Sequence, residues 1–525
     1  MGFALSTQRS AFFKECTVEE QKKFFSLSEK KFIPHVDTFY YSIFIKNDVA
    51  CSKDEREKVP SGVLLMINFF EFAKSQFLTK ENIHERDLWY DYEKDLLLSK
   101  RKFSIYDFCI RKEGYYDIFI SSYLPNDNTP RIVVQLRSIG LWTLGEYQLI
   151  QESFAVVSEL LFEYGLSVDR TQENRIDFCY HTNILQNPEK VYSDNSLANN
   201  LHTSFTIYNK VGRKRGRKLT VEYLSLGQRS SNNLFFRSYN KVREVIEENY
   251  KEFFLEFWYN SKLINYYDFY VYSYAFQKKS YSQIYWGMLN FYLEYGKNNK
   301  ILDDFEYIKQ HSMDYSTDEL KEIVLSVCPK PTLIINIEFQ CMRKFFYSFN
   351  KALETVLLPI DNECKFIEIF RLFQILDNRK LFLDYLTSNA VSFQKDLEEK
   401  ELKQMLKENS ESIYLDFWKR LRSTKISINC NVTIYRDYSR KLNRDLLVSR
   451  IKSSLASLSL YDNHWESDIN GDMSNLISIL NDNDVVQNAD GTYSVIDDDY
   501  IRMKENKKKA LKSLLNKPKR PSQND

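Results

Sequence analysis

The chain lacks several features that would place it in a familiar class. Its eight cysteines, Cys16, Cys51, Cys109, Cys179, Cys328, Cys341, Cys364 and Cys430, make no Cys-x-x-Cys pair. Structural zinc sites are commonly built from such pairs, so a zinc site is not expected. Single cysteines scattered over 525 residues point instead to a reducing cytosol. The opening MGFALSTQRSAFFKE has no basic stretch followed by an apolar core, so no signal peptide is expected. The most apolar runs, such as Val63 to Phe70, stop well short of a membrane span. A cytoplasmic protein with no membrane partner is therefore expected. No internal repeat is evident. An excess of charge is also missing, since 73 Lys and Arg face 72 Asp and Glu for a formal net charge of +1. A polyanionic partner would have to be met by local clusters of positive charge.

The length suits two to four domains, and 43% hydrophobic residues are enough to bury a core. Aromatic residues reach 15%, mostly 38 Phe and 36 Tyr. Residues 1–32 read as a helical arm, with Phe12, Phe13, Phe24 and Phe25 among charges. A strand from Val36 to Ile45 follows, rich in aromatic and β-branched residues, and Pro60-Ser61 opens a helix to about Lys74. Strands are expected at Tyr115–Ile120 and Arg131–Leu136, joined through the turn residues Pro125-Asn-Asp-Asn. An amphipathic helix from Thr143 ends at Gly165. Further strands are read at Arg175–His181, Thr203–Tyr208, Leu219–Leu226, Leu234–Lys241 and Leu333–Gln340.

Residues 246–330 form an aromatic segment, including Tyr266-Tyr-Asp-Phe-Tyr-Val-Tyr-Ser-Tyr. A packed, mainly helical insertion is one reading, and a stacking platform for unpaired bases is the other. From about residue 360 the pattern turns helical, at Phe366–Tyr385 and Leu397–Lys407. Residues 467–500 are rich in Asp and Asn, and the tail from Lys504 to Arg520 is basic and expected to be at least partly disordered. The expected fold class is α+β: a mainly antiparallel β-sheet catalytic domain with flanking helices, plus a helical C-terminal region. The expected domains are an arm (1–32), a sheet domain (33–355) holding the insertion (246–330), a helical domain (356–466), and an acidic linker with a basic tail (467–525).

Three strand segments carry chemistry: Arg175-Ile-Asp177; Gly227-Gln-Arg229-Ser-Ser231 leading into Arg237-Ser-Tyr239-Asn-Lys241; and Ile337-Glu338-Phe-Gln340. Positions two apart on a strand share a face, so Arg237, Tyr239 and Lys241 can form one cluster. A free phenol has a pKa of about 10 and needs a cation or base to act as a nucleophile. The two cations could hold a phosphate and favour a phenolate. The turn at Gly227–Asn233 could present backbone N–H groups to phosphate or be an ordinary hairpin turn. The loop Lys210-Val-Gly-Arg213-Lys214-Arg215-Gly-Arg217-Lys218 packs six cations into nine residues. Such density favours contact with a nucleic-acid backbone over a solvated loop or a localisation signal.

Taken together and in this order, the segments resemble the replication initiation factor family, also called the Rep_trans type, which covers rolling-circle plasmid initiators and relaxases of conjugative elements. The resemblance spans about residues 33–350 and is most specific over 223–241. It implies origin DNA, single- and double-stranded, as partner, with a host helicase as a further candidate partner and a dimer as candidate assembly. It implies a nicking and joining enzyme that attacks one strand with Tyr239, helped by Arg237 and Lys241, leaving a phosphotyrosine and a free 3′-hydroxyl. It implies Mg²⁺ or Mn²⁺ on Asp177 and Glu338, with His181 acceptable to Mn²⁺. DNA contacts would come from Lys210, Arg213, Lys214, Arg215, Arg217, Lys218, Arg229 and Ser231. The product would start rolling-circle replication of a plasmid or phage. A relaxase that nicks a transfer origin, and a DNA-binding regulator without catalysis, stand as alternatives.

The chain departs from the family pattern at four points. His181 stands where a second carboxylate is common, Gln228 interrupts the Gly-Ser-Arg turn, Asn336 replaces an arginine two before the glutamate, and the aromatic segment separates the last two strands. The six histidines form no His-x-His pair, against the nickases that hold metal between paired histidines.

Overall fold

The computed structural model describes residues 10–26, 29–51, 58–78, 87–126, 128–205, 208–209, 213–215, 218–220, 223–229, 233–249, 251–346, 349, 369–397, 401, 411–426, 451–452, 454–458, 468–474, 485–487 and 493–495. The chain divides into two compact units, 1–435 and 436–525. In the second, Val485–Gln487 pairs with Tyr493–Val495, beside short helical stretches. The basic tail and nearly all of the expected helix Leu397–Lys407 lie outside the described residues.

The first unit is α+β and is built on an eleven-stranded sheet. In chain order its strands are β1 (Phe32–Ile45), β2 (Asp87–Asp91), β3 (Leu96–Ser99), β4 (Phe108–Lys112), β5 (Tyr116–Ile120), β6 (Ile132–Leu136), β7 (Val168–Thr182), β9 (Tyr208–Asn209), β12 (Tyr223–Leu226), β13 (Leu234–Asn240) and β14 (Ile335–Met342). Short β8 (Leu201–Thr203) pairs with β15 (Val391–Phe393) outside the sheet. The spatial order is β2-β3-β4-β5-β6-β1-β7-β14-β13-β12-β9, and every neighbour is antiparallel. The insertion between β13 and β14 therefore does not part them, because the chain returns to pair β14 with β13 on one side and β7 on the other.

Alternation sorts the side chains. On one face Phe39, Tyr41, Ile43, Ile118, Val134, Ile176, Phe178, Tyr180, Phe236, Ile337 and Phe339 point into the main core. The helices Ser61–Ser75 and Glu146–Glu163 cover that face, and Ser153 on the second meets the Tyr41 hydroxyl at 2.8 Å. The segment expected to open a separate helical domain belongs to this core as well: Leu372, Ile375, Phe382, Trp418 and Leu421 are buried in it. Each sheet residue between these core positions faces the opposite side, which is where the polar residues collect.

The aromatic segment is helical, as one of its two readings expected. Helices Phe253–Asn260, Tyr266–Gln277 and Ile284–Tyr295 enclose a second core of Phe254, Trp258, Tyr267, Tyr272 and Phe291. Tyr267 and Tyr272 bury their rings and send their hydroxyls to the Pro329 and Thr332 carbonyls, so they are not open to stack on bases. Asn265 and Asp268 form a capping box that starts the middle helix. The N-terminal arm completes this second core with Phe12, Phe13, Phe24 and Phe25.

Candidate active site

The polar face of β13, β14 and β7 places most of the expected catalytic and metal-binding residues side by side. Register sets Tyr239 opposite Asn336 and Arg237 opposite Glu338, while Gln340 stands opposite Asp177. Asn336 Nδ2 donates to Tyr239 Oη at 3.0 Å and to Glu338 Oε2 at 3.1 Å. Tyr239 Oη itself donates to Glu338 Oε2 at 3.4 Å. Arg237 grips both Glu338 oxygens, from Nε at 2.8 Å and Nη2 at 2.9 Å, and its guanidinium lies 4.8 Å from the Tyr239 ring centre. Lys241 Nζ donates to Tyr239 Oη at 3.4 Å and pairs with Glu244 at 2.7 Å. The cluster of Arg237, Tyr239 and Lys241 expected from the spacing is thus present, with Glu338 and Asn336 completing it.

The electrostatics differ from the expectation in one respect. Tyr239 is only 6% exposed, and burial pushes its phenol well above the usual tyrosine range despite the opposing pull of Arg237 and Lys241. The resting side chain is a neutral phenol, not a phenolate. Burial works against the Lys241 ammonium, yet Asp37 and Glu244 hold it firmly charged. Asp37 was not foreseen. It is buried on β1, accepts from Ser138 Oγ at 2.8 Å and from Trp142 Nε1 at 3.4 Å, and its negative charge acts on Lys241.

Asp177 lies one strand beyond Glu338, buried, with both oxygens held by Arg175. Burial raises its carboxyl to about 6, against the opposing pull of Arg175. Asp177 and Glu338 offer the hard oxygen atoms that Mg²⁺ and Mn²⁺ prefer, but each is already paired with an arginine. Among the described residues no three His, Cys, Asp or Glu are grouped to hold a metal ion.

His181 does not join them. It is fully buried, its ring stacks on Trp142 with centroids 4.5 Å apart, and its Nδ1 accepts from Trp258 Nε1 at 3.1 Å. Burial and Lys241 keep it neutral. With Nδ1 accepting, the neutral ring must carry its proton on Nε2, so neither nitrogen has a lone pair free for a metal. The insertion supplies Trp258, a partner that sequence spacing cannot reveal.

Of the expected DNA-contacting residues, Arg229 is exposed and its Nε donates to Gln340 Oε1 at 3.3 Å. It follows Gly227, whose φ of 83° suits glycine in the turn. Arg213, Lys214, Arg215 and Lys218 lie in a small antiparallel ribbon, β10 (Arg213–Arg215) with β11 (Lys218–Thr220), where a loop was expected. Lys210, Arg217 and Ser231 lie outside the described residues. Of two other tyrosines on the sheet, Tyr223 stands opposite Tyr239 with ring centres 6.3 Å apart, whereas Tyr180 points into the core on the other face.

No family model matches the chain, and no curated protein matches it. Among solved structures it is similar to the rolling circle replication initiator protein from Geobacillus stearothermophilus, at 12% identity and a TM-score of 0.30 over 74% of this chain and 95% of that one. A likeness that slight carries no argument about this chain.

Proposed function

We propose that this protein nicks and rejoins one strand of DNA through a covalent phosphotyrosine at Tyr239, as an initiator of rolling-circle replication. One observation carries the reading. A tyrosine, two cations and a carboxylate converge on one polar sheet face, with Asn336 bonded to both the phenol and the carboxylate.

In the proposed step Tyr239 Oη attacks phosphorus and its proton passes to Glu338, the carboxylate already in reach. The bond to the 3′-oxygen breaks, that oxygen takes a proton from solvent water and leaves as the strand's hydroxyl end, and the phosphate stays on Tyr239. Arg237 and Lys241 balance the charge that gathers on the phosphoryl oxygens. Because the phenol is protonated at rest, the step depends on Glu338 as acceptor and on the incoming phosphate bringing the cations into play. Asp177 and Glu338 would be the carboxylates to hold Mg²⁺ or Mn²⁺ once released from Arg175 and Arg237, and an ion there would polarise a phosphoryl oxygen. The ribbon around Arg213–Lys218 is proposed to hold the DNA backbone.

The protein is incubated with supercoiled DNA carrying its own gene region, with Mg²⁺, with Mn²⁺ and with EDTA. Open circles and a covalent protein–DNA adduct in the metal arms support the reading. Intact supercoils in every arm reject it. A relaxase acting at a transfer origin would use the same residues, and the DNA region that is cut separates the two. A regulator without catalysis is favoured by the near-complete burial of Tyr239; it would bind the same DNA without cutting.

A further inference from the structure

The polar face does not end at Asp177. Register continues it across the sheet through Arg175 opposite Tyr40, Tyr40 opposite Gln135, Gln135 opposite Asp117, and Asp117 opposite Arg111. The Arg175 guanidinium lies over the Tyr40 ring at 5.7 Å. At the far end three arginines gather on the buried Asp117: Arg101 at 2.8 Å, Arg111 at 3.6 Å, and Arg137. Arg111 also meets Asp87 at 3.6 Å, so three guanidiniums answer two carboxylates there and positive charge is left over.

Aromatic rings lie among these cations. Phe103, in the connection between β3 and β4, is 41% exposed. Its ring is near parallel to that of Tyr106, 17° and 6.2 Å apart, and it approaches Tyr40 at 6.4 Å and Phe119 at 5.2 Å. Phe103 and Tyr106 also exchange backbone hydrogen bonds at 3.2 and 2.9 Å, which fixes the ring's place on the face. Arg101, with its side chain 42% exposed, lies over Phe119 at 5.7 Å.

We propose that this row, from the Asp117 arginines through Phe103, Tyr40 and Arg175 to Tyr239, is a track for single-stranded DNA that leads the strand to the nucleophile. The choice of DNA rests on the nicking reading above; the choice of a single strand rests on the row itself. The exposed Phe103 ring beside the exposed Arg101 guanidinium suits an unpaired base, whose flat face can stack while the cations follow the phosphates. A duplex hides those faces. Six strand-to-strand steps separate β4 from β13, roughly 30 Å at ordinary strand spacing, which is room for several nucleotides.

Binding of a fluorescein-labelled oligothymidylate and of a labelled duplex, followed by anisotropy over a range of salt, tests this. Phe103→Ala is expected to weaken single-strand binding about tenfold and leave the duplex unchanged. Phe103→Tyr keeps the flat ring and should bind as wild type, whereas Phe103→Leu, which keeps apolar bulk, should bind like Phe103→Ala. Arg101→Gln should lower the single-strand salt slope by about 0.7. Unchanged single-strand binding in Phe103→Ala and Arg101→Gln overturns the track, as does an equal loss on the duplex. Thermal unfolding of each variant separates lost binding from lost folding. The nicking reading fails separately, through the absence of any adduct from the wild-type protein, an outcome that leaves the anisotropy result standing.

Discussion

Asn336 stands directly across from Tyr239 on neighbouring strands, and its single amide nitrogen donates to both the phenol and the Glu338 carboxylate. It holds the proposed nucleophile against the group proposed to take its proton. Asn336→Ala should slow adduct formation by about 10², the scale on which small misplacements of reacting groups act. DNA affinity should stay at the wild-type value. Single-turnover adduct formation at saturating DNA reads this out, and an unchanged rate would show that Tyr239 is oriented without Asn336.

The Asp177 carboxyl gives a pH signature. Burial raises it to about 6 in the folded protein, while Arg175 pulls the other way, with Glu338 on the neighbouring β14 raising it and Arg237 on β13 beyond lowering it. An unfolded aspartate titrates at about 3.9, so the folded state binds the extra proton between about pH 4 and 6. The stabilisation from this group is present at low pH and is lost as pH rises through about 6. Urea unfolding in EDTA should show a loss on the order of 2–3 kcal/mol over that window. Asp177→Asn, which cannot titrate, should lack that part of the slope. Equal slopes in the two proteins would place the carboxyl in its ordinary range.

The basic ribbon should govern salt dependence on duplex DNA. Replacing Arg213, Lys214, Arg215 and Lys218 with Ala should weaken binding to origin and unrelated duplex alike. If all four meet phosphates, the slope of log affinity against log salt should flatten by about three to four units. Phosphate contacts carry no base information, so a loss confined to the origin would instead mean that these side chains read base edges.

Much of the site was legible because strand alternation is a local rule. Arg237, Tyr239 and Lys241 fall on one face wherever the strand is placed, and so do Asp177 and His181. The partners of those residues were not legible, because they depend on which strands become neighbours. Asn336 looked like a mere departure from the family pattern until register set it opposite Tyr239. His181 looked like a metal ligand until Trp258, 77 residues away, took its Nδ1. The cations beside Tyr239 suggested a phenolate, and burial, which spacing does not report, reversed that. Strands Asp87–Asp91, Leu96–Ser99 and Phe108–Lys112 went unread. They are short, and they complete that side of the sheet only by pairing in series, β2 with β3, β3 with β4 and β4 with β5.

The most direct measurement is the chemical identity of the attacked residue. Single-stranded DNA from the chain's own gene region is reacted with the protein and digested, and the modified peptide is sequenced by mass spectrometry. The account predicts a nucleotide adduct on the peptide bearing Tyr239 and none from Tyr239→Phe. That variant should still fold and bind DNA, since it loses one hydroxyl at a cost of about 1 kcal/mol. An adduct on Tyr223, an adduct that persists in Tyr239→Phe, or no adduct from the wild-type protein would contradict it.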